Sequence, residues 1–294
     1  MDKVSIIIPS RGEKEENLRR TIQSIKDNAV GEYEIIIGLN GHPYPEILDP
    51  DVKIIRFPEN IGIKGNINTL ALLATGKYIL KLDAHCSISK GFDEILKADM
   101  EDDWIVTPRF YVLNGETWEW QDDRFYDYFY LCCPFTDPKG LRFKAGGHWP
   151  ERTKERLESH PDIDETPQIH GSAWFMTKDR FFELGGFPLQ DPYGHGQEPI
   201  WLALKNWLAG GKVVVNKNCW YAHLHQDSKN RGYPEDKAAT EYTYNWTAHY
   251  WLADLWSKRK YNFRAFVRKF MPMPGWPEDW EDILTEYQEE NKNV

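Results

Sequence analysis

The fold is decided by the stretch Tyr78-Ile79-Leu80-Lys81-Leu82-Asp83-Ala84-His85-Cys86, in which an apolar run ends in a carboxylate and an imidazole. A buried strand that ends in this way is typical of a place that holds a polar group. Asp83 and His85 are two residues apart, so on an extended backbone their side chains point to the same face. Oxygen and imidazole ligands together favour a borderline divalent cation such as Mn²⁺, with Mg²⁺ as the alternative. The other interpretation of the triplet is a strand end with an incidental histidine.

The sequence that precedes this stretch alternates between strands and helices. Residues 4–8, 33–37 and 53–57 are apolar strand segments, and apolar residues at helical spacing lie between them and before the decisive stretch. This alternation predicts an α/β fold with a mostly parallel, doubly wound central sheet. Ligands bind such sheets at the carboxyl ends of the strands, so we expect the segments that follow the strands to converge on one site.

The second half of the chain has a less regular pattern. We expect strands at residues 104–110, 173–177 and 213–215, helices at residues 199–209 and 237–270, and a final acidic helix after residue 277. Residues 137–168 show weak periodicity and contain many proline, glycine and charged residues. They therefore predict a long surface loop.

Composition and charge exclude some classes of function. The 294 residues are 41% hydrophobic and carry a formal net charge of −10, which argues against a general nucleic-acid or anionic-membrane surface. The first residues lack the pattern of a signal peptide, and no apolar run is long enough to span a bilayer. The four cysteines fit no zinc motif and no disulfide framework. A reducing cytoplasm is the location that these features predict.

Several ordered motifs over about residues 3–225 are similar to those of one class of enzyme. They are residues 4–13 with 18–25, residues 60–66, 74–78 and 82–86, residues 171–176 with 182–187, residues 194–198 with 207–211, and residues 219–225. Their order resembles the GT-A glycosyltransferases, in particular the large family 2 and the polypeptide N-acetylgalactosaminyltransferases. Most family 2 members carry Asp-x-Asp at the strand end, whereas Asp83-Ala84-His85 is similar to the Asp-x-His signature of the second group.

The resemblance implies a domain organisation as well as a fold. It implies a GT-A (Rossmann-like) glycosyltransferase domain over residues 1–236, with a mostly parallel central sheet flanked by helices. The donor half would take up about residues 1–110, and the acceptor half about residues 111–236. Residues 237–294 are expected to form a helical, aromatic-rich carboxyl-terminal extension.

The same resemblance implies a nucleotide-sugar donor, with a UDP-sugar favoured. The expected donor-binding residues are Pro9, Ser10, Arg11, Glu13, Asn40, Asn60, Lys64, Ala84 and Arg231. Lys64 and Arg231 are expected near the diphosphate, and a solvated cation is the other interpretation of each. Family members often have Asp-Asp-Gly after the second strand. Here Asn40 stands there, and its amide can still pair with a pyrimidine edge because it both donates and accepts.

A metal site follows from the same comparison of motifs. The resemblance implies Asp83, His85 and His223 as ligands, with His225 as the competitor for the third position because the two histidines share a strand face. A divalent metal, Mn²⁺ before Mg²⁺, would stabilise the charge that develops on a diphosphate leaving group. The other interpretation of His223 is a core or loop histidine.

Glu198 and Asp83 are the predicted catalytic residues. Glu198 precedes Pro199, which predicts a nonhelical carboxylate at the mouth of a helix. It could bind acceptor or sugar hydroxyls, or act as the base of an inverting enzyme; a helix cap is the other interpretation. Gly171 and Trp174 are expected on the acceptor side. The Asp-x-His motif resembles retaining enzymes and the broader family 2 resemblance indicates inversion; we favour retention.

The sequence therefore predicts a metal-dependent glycosyltransferase of the hexosyl- or N-acetylhexosaminyl-transferase type. The alternatives are a sugar- or nucleotide-binding module with degraded catalysis and a nucleotidyltransferase on a related fold. The acceptor stays open among a glycan, a protein hydroxyl and a hydroxymethylated DNA base. The acidic net charge argues against DNA.

Overall fold

The computed structural model describes residues 2–46, 49–144, 147–190, 196–226, 232–234 and 236–291. The strands are β1 Val4–Ser10, β2 Tyr33–Asn40, β3 Val52–Phe57, β4 Tyr78–Leu82, β5 Cys86–Ile88, β6 Trp104–Leu113, β7 Trp120–Tyr126, β8 Phe129–Tyr130, β9 Gly147–His148, β10 Ile163–Glu165, β11 Ala173–Thr177 and β12 Lys212–His223. The helices are α1 Glu15–Asn28, α2 Gly62–Leu73, α3 Phe92–Ala98, α4 Pro150–Ser159, α5 Lys178–Glu183, α6 Glu198–Leu208, α7 Lys237–Leu252, α8 Phe263–Phe270 and α9 Trp280–Glu290.

One large mixed sheet organises the molecule in the order β10-β12-β6-β11-β4-β1-β2-β3. β1 pairs in parallel with β2 and β4, and β2 pairs in parallel with β3. β11 runs antiparallel between β4 and β6, while β12 pairs in parallel with β6 and antiparallel with β5 and β10. The amino-terminal half is the predicted parallel α/β block, and the second half adds the antiparallel strands.

The central strands form because helices cover both of their faces. Every residue of β1 and β4 is buried, as expected when a parallel sheet lies between two helical layers. Leu18 and Ile22 of α1 pack on one face of the sheet, and Ile67 and Leu70 of α2 pack on the other. The site described below lies at the carboxyl ends of these strands.

The carboxyl-terminal helices share a core with the rest of the molecule. Trp201 of α6 lies against Trp246 and Trp251 of α7, with ring centroids 4.9 Å apart in both pairs. Phe263 of α8 packs against Phe143, with centroids 6.0 Å apart. These contacts join residues 237–291 to the hydrophobic cluster beneath α2 and α6. The domain boundary at residue 236 stays a prediction.

The loop expected over residues 137–168 is wrong in part, because this segment contains β9, α4 and β10. α4 begins at Pro150, a position that suits the first turn of a helix. Of the α4 residues only Thr153 is buried. The helix therefore lacks the apolar periodicity by which it would be found in the sequence.

Two other elements differ in length from the prediction. The short strand expected at residues 213–215 is the start of the twelve-residue β12, which continues through a register shift between Asn216 and Trp220. Lys217 interrupts the apolar pattern there, and its Nζ donates to the carbonyl of His160 at 2.5 Å. The helix expected over residues 237–270 is divided into α7 and α8, and Asp254 between them has a positive φ of 52°.

Candidate metal and nucleotide-sugar site

A cavity of about 750 Å³ opens at the carboxyl ends of β1 and β4, beside β11 and the end of β12. This is the edge of the sheet at which the strand order predicts a ligand. The sequence-predicted residues that line it are Pro9, Ser10, Arg11, Glu13, Asn40, Asn60, Asp83, Ala84, His85, Gly171, Glu198, His223 and His225. The structure thus brings together most of the site residues expected from the sequence.

A turn takes the place of the extended backbone that we expected at residues 83–85. The turn joins β4 to β5, and β12 pairs with β5 so that His223 lies opposite Cys86. The amide N–H of Leu224 donates to the carbonyl of His85 at 3.1 Å. These bonds fix the end of β12 beside the turn and place His223 next to Asp83 and His85.

The three predicted ligands face one another. His223 Nε2 lies 3.1 Å from His85 Nε2 and 3.2 Å from Asp83 Oδ2. Two ligands at right angles on a cation with bonds of about 2.1 Å would be about 3.0 Å apart. One ligand atom from each residue lies within 4.8 Å of the others. The donor set and the spacing therefore fit a divalent cation.

His225 occupies a flanking position. Its ring lines the cavity and packs edge-on against the ring of His223, with centroids 4.9 Å apart. It also packs edge-on against Phe110 at 5.5 Å. His225 is not part of the convergent group formed by the other three residues in the described structure. This geometry favours His223 over His225 as the third candidate ligand.

Electrostatics keep the candidate ligands in the forms that bind cations. Burial works to raise the pKa of the Asp83 carboxyl, but the charge of Lys81 and the contact with His223 outweigh it and hold that pKa well below its usual range. Burial lowers the pKa of His223 to about 4. A carboxylate and a neutral imidazole are the required ligand states.

Glu13, which we expected to bind the donor, also contacts the candidate ligand His85. Its Oε2 is 2.6 Å from His85 Nδ1, and Asn17 and Gln226 donate to its Oε1 at 2.8 and 3.0 Å. Burial works to raise the pKa of Glu13, but the contacts with His85 and the two amides lower it overall. A carboxylate on Nδ1 fixes the tautomer that leaves Nε2 free to bind a cation.

His223 has no such support among the described residues. Its Nδ1 is buried and lacks a hydrogen-bond partner within the part of the chain that the structure describes. The two imidazoles of the candidate site are thus held differently. His85 is fixed through its side chain, whereas His223 is fixed by its position in the β12 ladder.

The segment that follows β1 is packed against a second part of the chain. Arg11 stacks over the ring of Tyr233, with 4.4 Å from Cζ to the ring centroid. Ser10 Oγ is buried and has no hydrogen-bond partner within the described residues. An unpaired polar atom of this kind at a cavity wall is suited to a ligand.

Asn40, the last residue of β2, contacts Asn60 and the segment that begins α2. Asn40 Nδ2 donates to Asn60 Oδ1 at 2.8 Å, and Asn40 Oδ1 accepts from the amide of Ile61 at 2.9 Å. The Asn40 side chain therefore positions the first turn of α2 as well as facing the cavity. Its amide groups are already engaged by the protein, which weakens the expectation that Asn40 alone reads the base.

Two of the predicted site residues are buried and do not line the cavity, and a third lies outside the described residues. Lys64 is fully buried in α2 and does not line the cavity, because position 64 lies on a face of the helix that turns into the protein. Trp174 is 1% exposed and stacks on Phe181, because alternate residues of β11 point into the core. Arg231 lies outside the described residues.

Glu198 is the first residue of α6 rather than a nonhelical cap. Its Oε2 accepts from the amide of Gly196 at 3.1 Å. Its Oε1 is buried and has no partner among the residues that the structure describes. Glu198 also lines the cavity, so its carboxylate lies beside any ligand bound there.

Lys81 and His170 are among the cavity-wall residues that the sequence interpretation missed. Lys81 is 2% exposed, forms an ion pair with Asp83 and donates to the carbonyl of Gly171 at 2.6 Å. Its signal was a lysine inside an otherwise apolar strand. His170 lines the same wall, and burial lowers its pKa well below the usual range. No sequence pattern distinguished it.

The fold and site together define the class. A mixed sheet that carries a carboxylate and two imidazoles at its strand ends, beside a cavity, is the arrangement of a GT-A glycosyltransferase domain. The family model described as Glycosyl transferase family 2 matches residues 5–181, which is more than half of the chain. The chain belongs to this family.

Relatives by sequence and by structure agree with that assignment. The chain is 27% identical over 241 residues to a putative polypeptide N-acetylgalactosaminyltransferase 13 of Drosophila melanogaster, covering 72% of this chain and 40% of that protein. It is 26% identical over 196 residues to human polypeptide N-acetylgalactosaminyltransferase 15, covering 64% of this chain and 28% of that protein. The chain thus spans less than half the length of these relatives.

Solved structures confirm the predicted fold. The crystal structure of GalNAc-T7 with UDP, GalNAc and Mn²⁺ superposes with a TM-score of 0.72 at 18% identity, covering 99% of this chain and 55% of that one. Staphylococcus aureus TarS 1–349 in complex with UDP-GlcNAc gives a TM-score of 0.54 at 11% identity, covering 90% and 69%. Within the described residues, no helix has the length and apolar character needed to cross a membrane.

Proposed function

We propose that this chain is a metal-dependent glycosyltransferase that moves a sugar from a nucleotide-sugar, a UDP-sugar, to an acceptor hydroxyl. The observation that carries the proposal is the convergence of Asp83, His85 and His223 at the wall of the cavity. The solved relatives support it, because their structures contain UDP with GalNAc and Mn²⁺, or UDP-GlcNAc.

Asp83, His85 and His223 would hold the metal, and imidazole ligands favour Mn²⁺ over Mg²⁺. When bound, a divalent cation supplies positive charge to the diphosphate leaving group. Glu13 orients His85 by accepting from its Nδ1. Lys81 binds one oxygen of Asp83 and leaves the other facing His223.

Glu198 would serve the acceptor. Its Oε1, which has no hydrogen-bond partner among the described residues, can accept a hydrogen bond from an acceptor hydroxyl and orient that hydroxyl toward the donor sugar. We propose retention of the anomeric configuration, in line with the Asp-x-His motif. In that case Glu198 positions the acceptor and an oxygen of the leaving phosphate takes the proton. The identity of the anomer in the product, measured by proton NMR, tests this assignment.

The free state of the four cysteine thiols supports a reducing location for the protein. Cys86, Cys132, Cys133 and Cys219 are all free, although two of them are neighbours in the sequence. We propose that the protein works in the cytoplasm. Alkylation of the four thiols in protein taken directly from cells, followed by mass spectrometry, should find all four reduced.

The test of the activity is donor turnover by the purified chain. With Mn²⁺ and a panel of UDP-sugars, we expect release of UDP, by transfer or slow hydrolysis, that stops when the metal is chelated. Asp83→Ala should abolish it, whereas Asp122→Ala, which removes an exposed carboxylate of β7, should not. Pyrophosphate release from UTP and a sugar 1-phosphate, tested in a parallel reaction, would instead indicate a nucleotidyltransferase, and metal-dependent binding without release would indicate a binding module.

A further inference from the structure

His170 is a titratable side chain of the cavity wall to which the proposed function gives no role. It lies just before β11, and its ring stacks on Phe110 with centroids 4.4 Å apart and planes 15° apart. The same ring is 5.7 Å from the ring of the candidate ligand His223. A group this close to the candidate metal site faces whatever is attached to a metal-bound diphosphate.

One edge of the His170 ring is held by two buried hydroxyls. Nδ1 lies 2.5 Å from the hydroxyl of Tyr221 and also contacts Ser172 Oγ. Ser172 Oγ in turn donates to the Tyr221 hydroxyl at 2.9 Å. Tyr221 is fully buried and Ser172 is 3% exposed, so their two protons need acceptors inside the protein.

The three contacts among His170, Ser172 and Tyr221 determine which ring nitrogen of His170 carries the proton. If Nδ1 accepts, Ser172 donates to Tyr221 and Tyr221 donates to His170, so both hydroxyl protons are placed. If Nδ1 carried the proton, the last hydroxyl in the chain would keep a buried proton without an acceptor among these contacts, which is costly. The imidazole therefore carries its proton on Nε2.

The edge of the His170 ring that carries Nε2 points away from these two hydroxyls. Nδ1 is anchored toward the buried Tyr221 and Ser172, while the side chain lines the cavity. The edge opposite the anchor is thus the one that the cavity wall presents. A neutral N–H held in one orientation suits an uncharged oxygen, such as a hydroxyl or an amide carbonyl, better than it suits phosphate.

We propose that His170 is a specificity-determining residue that donates a hydrogen bond from Nε2–H to an oxygen of the transferred sugar. The proposal rests on the proposed function, because that function supplies the nucleotide-sugar. The sugar is favoured over the acceptor since it is bonded to the diphosphate, whose site lies beside His223. Tyr221 and Ser172 are then positioning residues that act by fixing the ring.

The test compares UDP with UDP-sugars as ligands in the presence of Mn²⁺. Calorimetry would give Kd for UDP, UDP-GalNAc, UDP-GlcNAc, UDP-galactose and UDP-glucose with wild type, His170→Phe and His170→Gln. Phe keeps the stacking on Phe110 but removes both nitrogens. We expect His170→Phe to weaken the preferred UDP-sugar by about 3- to 10-fold and to change UDP by less than about twofold. Gln, which can place an N–H near the Nε2 position, should restore most of the loss.

His148→Phe is the matched control. His148 stacks on Tyr126 at 3.9 Å in the same group of rings but does not line the cavity. This variant should leave all five dissociation constants within about twofold of wild type, because it removes no group that faces the ligand.

Each outcome decides between the two proposals. Equal loss for UDP and UDP-sugars in His170→Phe, or a wild type that binds no UDP-sugar more tightly than UDP, would overturn the role of His170 alone. Failure of UDP to bind with Mn²⁺ would overturn the proposed donor itself and the role of His170 with it. Two-bond proton–nitrogen NMR of histidine-labelled wild type provides a check without variants: a proton on Nδ1 of His170 would contradict the assignment.

Discussion

At the scale of single residues, Lys81 decides how Asp83 meets a cation. The two are an ion pair with side chains 2% and 23% exposed, so each charge depends on the other for compensation. Removing one partner of such a buried pair leaves an uncompensated charge. We expect Lys81→Met to lower the free energy of unfolding of the metal-free protein by about 3 kcal/mol. Urea denaturation with and without Mn²⁺ measures this change.

The same variant should respond more strongly to metal. Lys81 competes with a cation for the Asp83 carboxylate and repels its charge, so we expect Mn²⁺ to stabilise Lys81→Met more than it stabilises wild type. Lys97→Met is the control, because its partner Glu94 is half exposed and such pairs contribute about 1 kcal/mol or less. An equal effect of Mn²⁺ on all three proteins would contradict a site at Asp83.

Glu13 provides a second prediction at this scale. Glu13→Gln keeps the shape of the side chain but replaces the charged acceptor of His85 Nδ1 by a neutral one. Partners of this kind typically change metal affinity by about 10- to 100-fold. We expect Mn²⁺ affinity, measured by electron paramagnetic resonance, to fall by about tenfold or more. Glu15→Gln, on the exposed start of α1, should leave it unchanged, and a similar loss in both variants would argue against the orienting role.

The residue scale also shows what a sequence can reveal about a site. Asp83 and His85 were predictable because both belong to one turn after a buried strand. Pairing Glu13 with His85 was not, because the two are 72 positions apart and nothing in either segment marks the contact. The burial of Trp174 was not predictable either, since a motif fixes a position in the chain but not which face of the strand its side chain takes.

At the scale of elements, close packing constrains Gly76, which lies between α2 and β4. A Cβ on Gly76, just before β4, would lie 2.4 Å from the backbone carbonyl oxygen of Lys3, and a backbone atom cannot move aside cheaply. We expect Gly76→Ala to destabilise the fold by about 1–3 kcal/mol in urea denaturation, because the added methyl overpacks the start of β4.

Gly65 is the matched control for that variant. It lies inside α2, and its added Cβ would come no closer than 3.6 Å to Ile61. Alanine is favoured over glycine inside a helix by about 0.5–1 kcal/mol. Gly65→Ala should therefore stabilise the protein while Gly76→Ala destabilises it. The same sign for both would show that the packing described at Gly76 is wrong.

Helices and strands were predictable where a single pattern of apolar residues dominated the sequence. β1, β2 and β4 are buried on both faces and appear as short apolar runs, and α1 shows its buried Leu18, Ile22 and Ile25 at helical spacing. β12 was underestimated because polar residues at its register shift interrupt the apolar pattern, although Asn216 is fully buried. Such residues depend on partners elsewhere in the fold, which a local pattern does not contain.

At the scale of the whole molecule, buried histidines link the site to the stability of the fold. Burial lowers the pKa of His223 and of His148 to about 4, and it also lowers the pKa values of His170 and His225. An imidazole in the unfolded chain titrates near about 6.5. Between these limits the unfolded chain binds protons that the folded chain excludes, so stability falls as the pH falls from about 6.5 to about 4.

As the pH is lowered, this loss of stability should appear before protonation of the carboxylates destabilises the fold. Burial works to raise the pKa of Glu34, but its contacts with Lys53, Ser5 and Thr75 together outweigh burial and lower that pKa to about 2. Glu34 therefore loses its stabilising effect only as the pH falls below the ordinary carboxylate range near about 4. We therefore expect the urea midpoint of the metal-free protein to be lower at pH 5.0 than at pH 7.5. His148→Phe should lose less stability than wild type between pH 7.5 and pH 5.0, because it has one fewer buried imidazole whose pKa is lowered in the folded protein. Comparing each protein with itself at pH 7.5 removes the effect of altered packing, and an equal loss in both proteins would show that His148 is protonated alike in the folded and unfolded states.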